Sequence, residues 1–278
     1  MARILALTAL AMIAFAANSL LCRLALRDTG IDPASFTLIR MVSGALVLWL
    51  ILRIRSTQSA AARGDWWSAA ALFGYAIAFS YAYVGLSAGA GALLLFGSVQ
   101  ASMILYSLWR GERFGPWQCL GFALALAGMV ALVAPGVTAP PWSAALLMVL
   151  AGIAWGVYSL RGRGNTDPLA TTAGNFLRSM PMAVGCALLA LPWLAVDADG
   201  AVLAVLSGAL ASGVGYAIWY AALRGLSGTA AATVQLSVPA IASLGGVALL
   251  AEPLSLRLVL ASVVTLGGIA LVIHGRRR

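Results

Sequence analysis

Long apolar runs alternate along the chain with short breaks rich in arginine, aspartate, glycine and proline. The runs cover roughly 3–21, 34–52, 66–86, 91–109, 116–134, 142–160, 170–191, 202–223, 229–250 and 256–274. Each approaches the about 20 residues with which an α-helix crosses the hydrocarbon core of a bilayer. Strand-like alternation is missing and glycines sit inside the runs, which predicts helices rather than a barrel. The breaks carry turn signals: Arg27-Asp28 through Pro33, Arg53 to Asp65, Arg110 to Pro116, Pro135 to Pro141, Arg161 to Pro168, and Asp197 to Gly200. The break near Ala88 to Ala90 is uncharged and rests on glycine alone. Ala14-Phe15-Ala16 has the look of a signal-peptide cleavage site. A second run follows quickly, however, and the repeat described below requires the first, so it counts as a span.

Composition supports lipid as the solvent. Hydrophobic residues make up 62% of the chain and charged residues 9%, against roughly 25% charged in a soluble domain. In hydrocarbon every backbone N–H and C=O must be bonded within the protein, and helices do that locally. Net charge is +9 and every basic residue is arginine. The arginines punctuate span ends, without the interleaved aromatics of a nucleic-acid surface, so no nucleic-acid partner is expected. With an inner N-terminus, the inner loops hold Arg3, Arg53, Arg55, Arg63, Arg110, Arg113, Arg161, Arg163, Arg224 and Arg276–Arg278. The outer loops hold Arg23, Arg27 and Arg257, with Asp197 and Asp199. This bias predicts that both termini are cytoplasmic. Cys22, Cys119 and Cys186 are scattered, and the single His274 lies beside the basic tail, so no metal site or cofactor is expected.

The chain repeats itself at a shift of 140 residues: Gly85-Leu86-Ser87 falls on Gly225-Leu226-Ser227, Glu112 on Glu252 and Gly128 on Gly268. Five spans per half make the second half enter the membrane upside down, the inverted-repeat plan of many secondary transporters. The expected halves are 1–138 and 139–278. The predicted fold is an all-α membrane protein with ten transmembrane helices in two inverted five-helix repeats.

The segment Pro239, Ala251-Glu252-Pro253-Leu254-Ser255 and Gly267-Gly268 resembles the closing signature of the drug/metabolite transporter superfamily, EamA type. Gly111-Glu112-Arg113 and Gly128 occupy the matching place in the first half, where Val99 replaces the proline. The aromatic-rich third and eighth spans look most like the YddG-type aromatic amino-acid exporters. The resemblance implies ten helices around a central cavity, alternating access, and export of amino acids and related metabolites across a bacterial inner membrane.

Several residues are candidates for the work. Tyr216, Trp219 and Tyr220 share one helical face, as do Trp155 and Tyr158, and as do Tyr75, Phe79 and Tyr83. Facing a cavity, they offer flat walls for an aromatic ring and ring faces for an ammonium group; the plainer role is interfacial belt or helix packing. Polar groups inside a span are costly, and Asn18 and Gln235 are read as substrate-binding, with helix packing as the alternative. Arg40 and Arg178, about two turns inside their spans, are read as gate residues or as attractors of a carboxylate, against simple snorkelling. Gly89, Gly91, Gly97 and Pro239 are candidate hinges, and close helix packing is the alternative. No acidic residue lies deep in a span, so transport without a membrane carboxylate relay is expected.

Rival functions fare worse. An intramembrane enzyme needs a nucleophile with a base, a metal cluster or paired carboxylates, and the sequence has none of these in a span. A channel filter needs a repeated loop of carbonyls or charges. Export of cationic drugs, the alternative within the superfamily, would favour a deep carboxylate, and sugar phosphates a denser basic cavity. The expected partners are a small-molecule substrate and membrane lipid. No oligomer is specified, and a monomer suffices.

Overall fold

The computed structural model describes residues 2–54, 63–136 and 139–275. Arg55 and Arg276–Arg278, counted above among the inner arginines, lie outside the described residues. Among the described residues ten long helices follow one another: α1 (Ala2–Asp28), α2 (Pro33–Ile54), α3 (Trp66–Gly85), α4 (Ala88–Trp109), α5 (Pro116–Val133), α6 (Trp142–Arg161), α7 (Pro168–Leu189), α8 (Ala198–Leu223), α9 (Gly228–Gln235 and Ser237–Leu250) and α10 (Leu256–Gly275). Among the described residues, nine are long and apolar enough to cross a membrane. The remaining helix, α7, has 22 residues but carries Thr172, Asn175, Arg178 and Ser179. Its neighbours satisfy that polarity; Ser179 Oγ, for example, donates to the Ala69 carbonyl of α3 at 2.9 Å. Leucines and valines such as Leu5, Leu10, Leu46, Leu249 and Val263 are exposed on the outer faces, as lipid contact allows and water does not. The chain is an integral membrane protein.

The halves are inverted in space. Mate helices α5 and α10 pack along one another, with Gln118 beside Gly275, Gly121 beside Gly268 and Gly128 beside Thr265. One number rises as the other falls, so the two helices run antiparallel. The seam is also reciprocal. A Cβ at Gly128 would lie 2.8 Å from Thr265 N, and one at Gly268 would lie 2.5 Å from Ala125 N; each contact becomes the other under the 140-residue shift. The same exchange relates Gly85 against Ala144 to Gly225 against Ile4. Small residues let these backbones meet where lipid gives helices no hydrophobic drive to associate.

Three local departures shape the interior. Residues Leu206–Val214 of α8 form a π-helix, a wide turn of the kind often found at functional sites. Gly208 there lies against the Arg40 carbonyl and Ser43 Oγ, a fit that a side chain would block. The second departure, in α9, is a break at Leu236. Pro239 has no N–H to give to the carbonyl of Gln235 four residues back, which is where the helix parts. Finally, α1 runs on to Asp28, so Arg23 and Arg27 belong to its last turns rather than to a loop. The described chain ends share one end of the bundle, since Ile4 meets Gly225 and Gly275 meets Gln118.

Candidate functional site

A cavity of about 860 Å³ lies between the halves. It opens at the bundle end where Arg63 to Asp65, Arg161 to Arg163, Asn165, Thr166 and Gly228 form the rim. Asn18, Tyr75, Phe79, Trp155, Tyr158, Tyr216, Trp219, Tyr220 and Gln235 all line it. Tyr83 does not. It is fully buried toward the closed end, where its hydroxyl donates to the Ala88 carbonyl at 3.3 Å. Helical spacing alone put it on the same stripe as Tyr75 and Phe79, and the stripe outruns the cavity.

The lining splits into an aromatic wall and two polar rows. Trp155 joins three rings of the wall: its ring stands 5.5 Å from Tyr216 at an interplanar angle of 16°, 4.8 Å from Tyr75 and 5.2 Å from Tyr158. Phe15, which the sequence marked only within the cleavage-site look-alike Ala14-Phe15-Ala16, packs on Tyr216 and Trp219 at 5.8 and 5.9 Å. One polar row climbs the wall near the mouth. Asp65 N donates to Asn175 Oδ1, Asn175 Nδ2 to the Tyr158 hydroxyl, Tyr158 to Thr172 Oγ1, and Thr172 pairs with the Tyr220 hydroxyl at 2.8 Å. Thr172 carried no signal in the sequence, because a span threonine usually bonds its own helix.

The second row lies deep. Ser207 Oγ donates to Asn18 Oδ1 at 2.6 Å, and Asn18 Nδ2 donates to the Tyr75 hydroxyl at 3.3 Å. Arg40, fully buried behind the cavity wall, gives Nη2 to the same hydroxyl at 3.0 Å. Its guanidinium lies 4.9 Å from the centre of the Phe79 ring. Arg178 is not among the lining residues; it is half-buried and bonded to the carbonyls of Gly174 and of Arg63 at the rim.

At the mouth Asp65 caps α3. Burial would raise its carboxyl, but hydrogen bonds from Ser68 and Arg161 outweigh that and hold it below the usual carboxylate range. Arg161 thereby ties α6 to α3 at 2.8 Å. The other end is latched. Glu252, 8% exposed, accepts from the Ala88 backbone N–H at 2.8 Å and from Arg23 Nε at 3.0 Å. Arg23 Nη1 also donates to the carbonyls of Tyr83 and Val84, and Arg27 to that of Leu250. A carboxylate at the first N–H of α4 meets both an unpaired donor and the positive helix end. Gly246 leaves the room Glu252 needs, as a Cβ there would stand 2.7 Å from its Oε2.

The hinge candidates differ in kind. Helix α4 is continuous through Gly89, Gly91 and Gly97, each buried. They admit close neighbours: Ser243 at Gly89, the Tyr83 ring at Gly91 and Met129 at Gly97. Pro239 does sit by a bend, beside Gln235 of the lining. No group of three or more His, Cys, Asp or Glu residues that could hold a metal occurs among the described residues.

Comparison with known proteins fits this geometry. A model of the EamA-like transporter family matches the chain twice, at residues 2–134 and 142–274. An uncharacterized protein of Pseudomonas aeruginosa is 57% identical over 274 residues, covering 99% of this chain and 96% of that one. A crystal structure of a protein at 22% identity superimposes with a TM-score of 0.65, covering 95% of this chain and 98% of its own, and shares the fold.

Proposed function

The chain belongs to the EamA-like transporter family, and on that premise we propose that it exports neutral and aromatic amino acids by alternating access. The observation that carries this is the pairing of an aromatic cavity, open at one end of the bundle, with a latch at the other in which partly exposed arginines pair with the buried Glu252. One open and one closed end describe a single state of a carrier. The arginine-rich end carries the mouth, which the positive-inside rule sets in the cytoplasm with both termini. The cavity then faces the compartment from which an exporter loads, in a bacterial inner membrane, and one protomer suffices.

An aromatic side chain finds ring walls to pack against at Trp155, Tyr216 and Phe15, which all line the cavity. Ring faces and the Tyr158–Thr172–Tyr220 row serve an ammonium group. Among the described residues the lining holds one carboxylate, Asp65, at the rim. Below the rim no acidic residue among the described residues lines the cavity, so movement down the substrate's own gradient is the expected driving force. Cationic drugs find no deep counter-charge here.

Counterflow in proteoliposomes tests the reading. Liposomes loaded with unlabelled threonine, methionine, phenylalanine, tryptophan or lysine are given each labelled partner. Neutral and aromatic amino acids are expected to exchange, and to keep exchanging after the proton gradient is collapsed. Absence of exchange for every amino acid removes the substrate class, and strict proton dependence removes the uncoupled mechanism.

A further inference from the structure

We propose that the closed end of the cavity is a carboxylate subsite, formed by the hydroxyls of Tyr75 and Ser212 and charged from behind by Arg40. This deepens the transport reading and rests on it. Arg40 is 2% exposed, and none of the ion pairs among the described residues involves it. Its Nε and Nη1 have no hydrogen-bond partner, and neither has the buried Oγ of Ser212, a residue of the cavity lining. A guanidinium without counter-charge in a membrane interior is costly, and ring faces plus one hydroxyl answer only part of that. The geometry of Tyr75 says where an anion would bind. Its oxygen accepts from both Arg40 Nη2 and Asn18 Nδ2, and Asn18 Oδ1 is already taken by Ser207. The Tyr75 proton is therefore left to be donated, on a side chain that lines the cavity. Arg40 is a positioning residue: it orients and polarises Tyr75 and supplies the charge that makes an anion welcome there.

The test is a selectivity ratio. Counterflow of tryptophan is compared with that of tryptophanamide, which lacks the anion, in the wild type and in Arg40→Gln, Arg40→Lys and Tyr75→Phe. The wild type is expected to prefer the carboxylate at least about tenfold, a ratio equivalent to one strong charge-assisted contact. Arg40→Gln is expected to bring the ratio near one, with Arg40→Lys retaining part of it. Tyr75→Phe and Ser212→Ala report on the same subsite should Arg40→Gln not fold. Equal use of both compounds by the wild type, or a ratio unmoved by these substitutions, overturns the subsite while leaving transport standing. Failure of both compounds to move in the wild type overturns the parent reading and the subsite with it.

A different observation, the exact register of the repeats at the two ends, carries a second inference. We infer that Glu112, Arg163 and Gly228 form the latch of the opposite state, in which the mouth closes and the latched end opens. At a shift of 140 residues they are the mates of Glu252, Arg23 and Ala88. The corners match as well: Gly111 and Ala251, mates just before the two glutamates, both have positive φ, at 90° and 50°. Ser87 and Ser227, also mates, both cap the helix that follows. Glu252 and Ala88 are buried, whereas Glu112, Arg163 and Gly228 are exposed, and the last two lie on the rim of the mouth. Arg27 breaks the symmetry because its mate is Asp167, so the second latch has one arginine fewer and is the weaker of the two.

Cysteine cross-linking tests the second latch. In a variant with Cys22, Cys119 and Cys186 replaced by alanine, Glu112→Cys is paired with Gly228→Cys. Cross-linking is expected to be slow, to rise severalfold when Glu252→Gln loosens the closed end, and to block counterflow until the link is reduced. A cross-linking rate indifferent to Glu252→Gln, or a linked protein that still exchanges substrate, overturns the inference.

Discussion

At the residue scale, Trp155 joins three rings of the aromatic wall. It touches Tyr75, Tyr158 and Tyr216 from the middle of α6. Aromatic pairs are worth about 0.5–1.5 kcal/mol beyond simple burial, so Trp155→Ala is expected to weaken counterflow of an aromatic substrate about tenfold, with Trp155→Phe intermediate. Ala251 poses a different question. It is the one non-glycine residue with positive φ among the described residues, and it turns the chain so that Glu252 points back into the bundle. A left-handed alanine costs about 1 kcal/mol, part of which glycine returns through its freer unfolded state. Ala251→Gly is expected to raise the thermal midpoint in detergent slightly, by about 0.5 kcal/mol of stability. A fall instead would mean that alanine's Cβ packs usefully there. Both residues were visible in the sequence, Trp155 as a stripe member and Ala251 as the neighbour of the repeated glutamate. Only the folded bundle gives either its task.

At the element scale, the seam between α5 and α10 is the tightest test of packing. Gly128→Val would press a branched side chain onto Thr265 N and the Ala261 carbonyl, which a Cβ already approaches at 2.8 and 2.9 Å. Overpacking of this kind costs about 1–3 kcal/mol, so a clear loss of thermal stability is expected. The mate substitution Gly268→Val is expected to cause a similar loss, because the seam is reciprocal. Hydropathy located these helices well but gave α7 no special status, although its polar groups build one cavity wall. It also gave no hint of the π turn in α8. A wider turn depends on which neighbour presses on Gly208, and a run of apolar residues does not record that.

At the scale of the whole molecule, two aspartates fasten opposite ends of the bundle. Burial would raise the Asp32 carboxyl, but hydrogen bonds from Ser35 and the backbone N–H groups of Ala195 and Ala34 outweigh it and hold it low. Asp65 is held low at the mouth in the same sense. A carboxyl lowered by folding stabilises fully above its unfolded value, near 3.9, and loses that contribution as the pH falls through the folded value. Thermal stability in detergent is therefore expected to stay flat on this account from neutral pH to about pH 5 and to decline below about pH 4. Asp32→Asn is expected to lower the plateau and shrink the acid decline.

The sequence by itself determined the solvent, the number of helices and their pairing into two related halves. Hydrocarbon leaves backbone polar groups no partner outside the chain, so span length and apolarity are written plainly, and Glu112 and Glu252 mark the repeat. It did not determine which face of each helix looks inward. In lipid both faces of a span are apolar, so the periodic signal that betrays a soluble core is faint, and helix rotation is set by packing against neighbours. That is why Tyr75 and Phe79 line the cavity while Tyr83, on the same stripe, does not. It is also why the latch was out of reach. Ala88 gives its backbone N–H to a carboxylate 164 residues away, and only the folded bundle brings the two together.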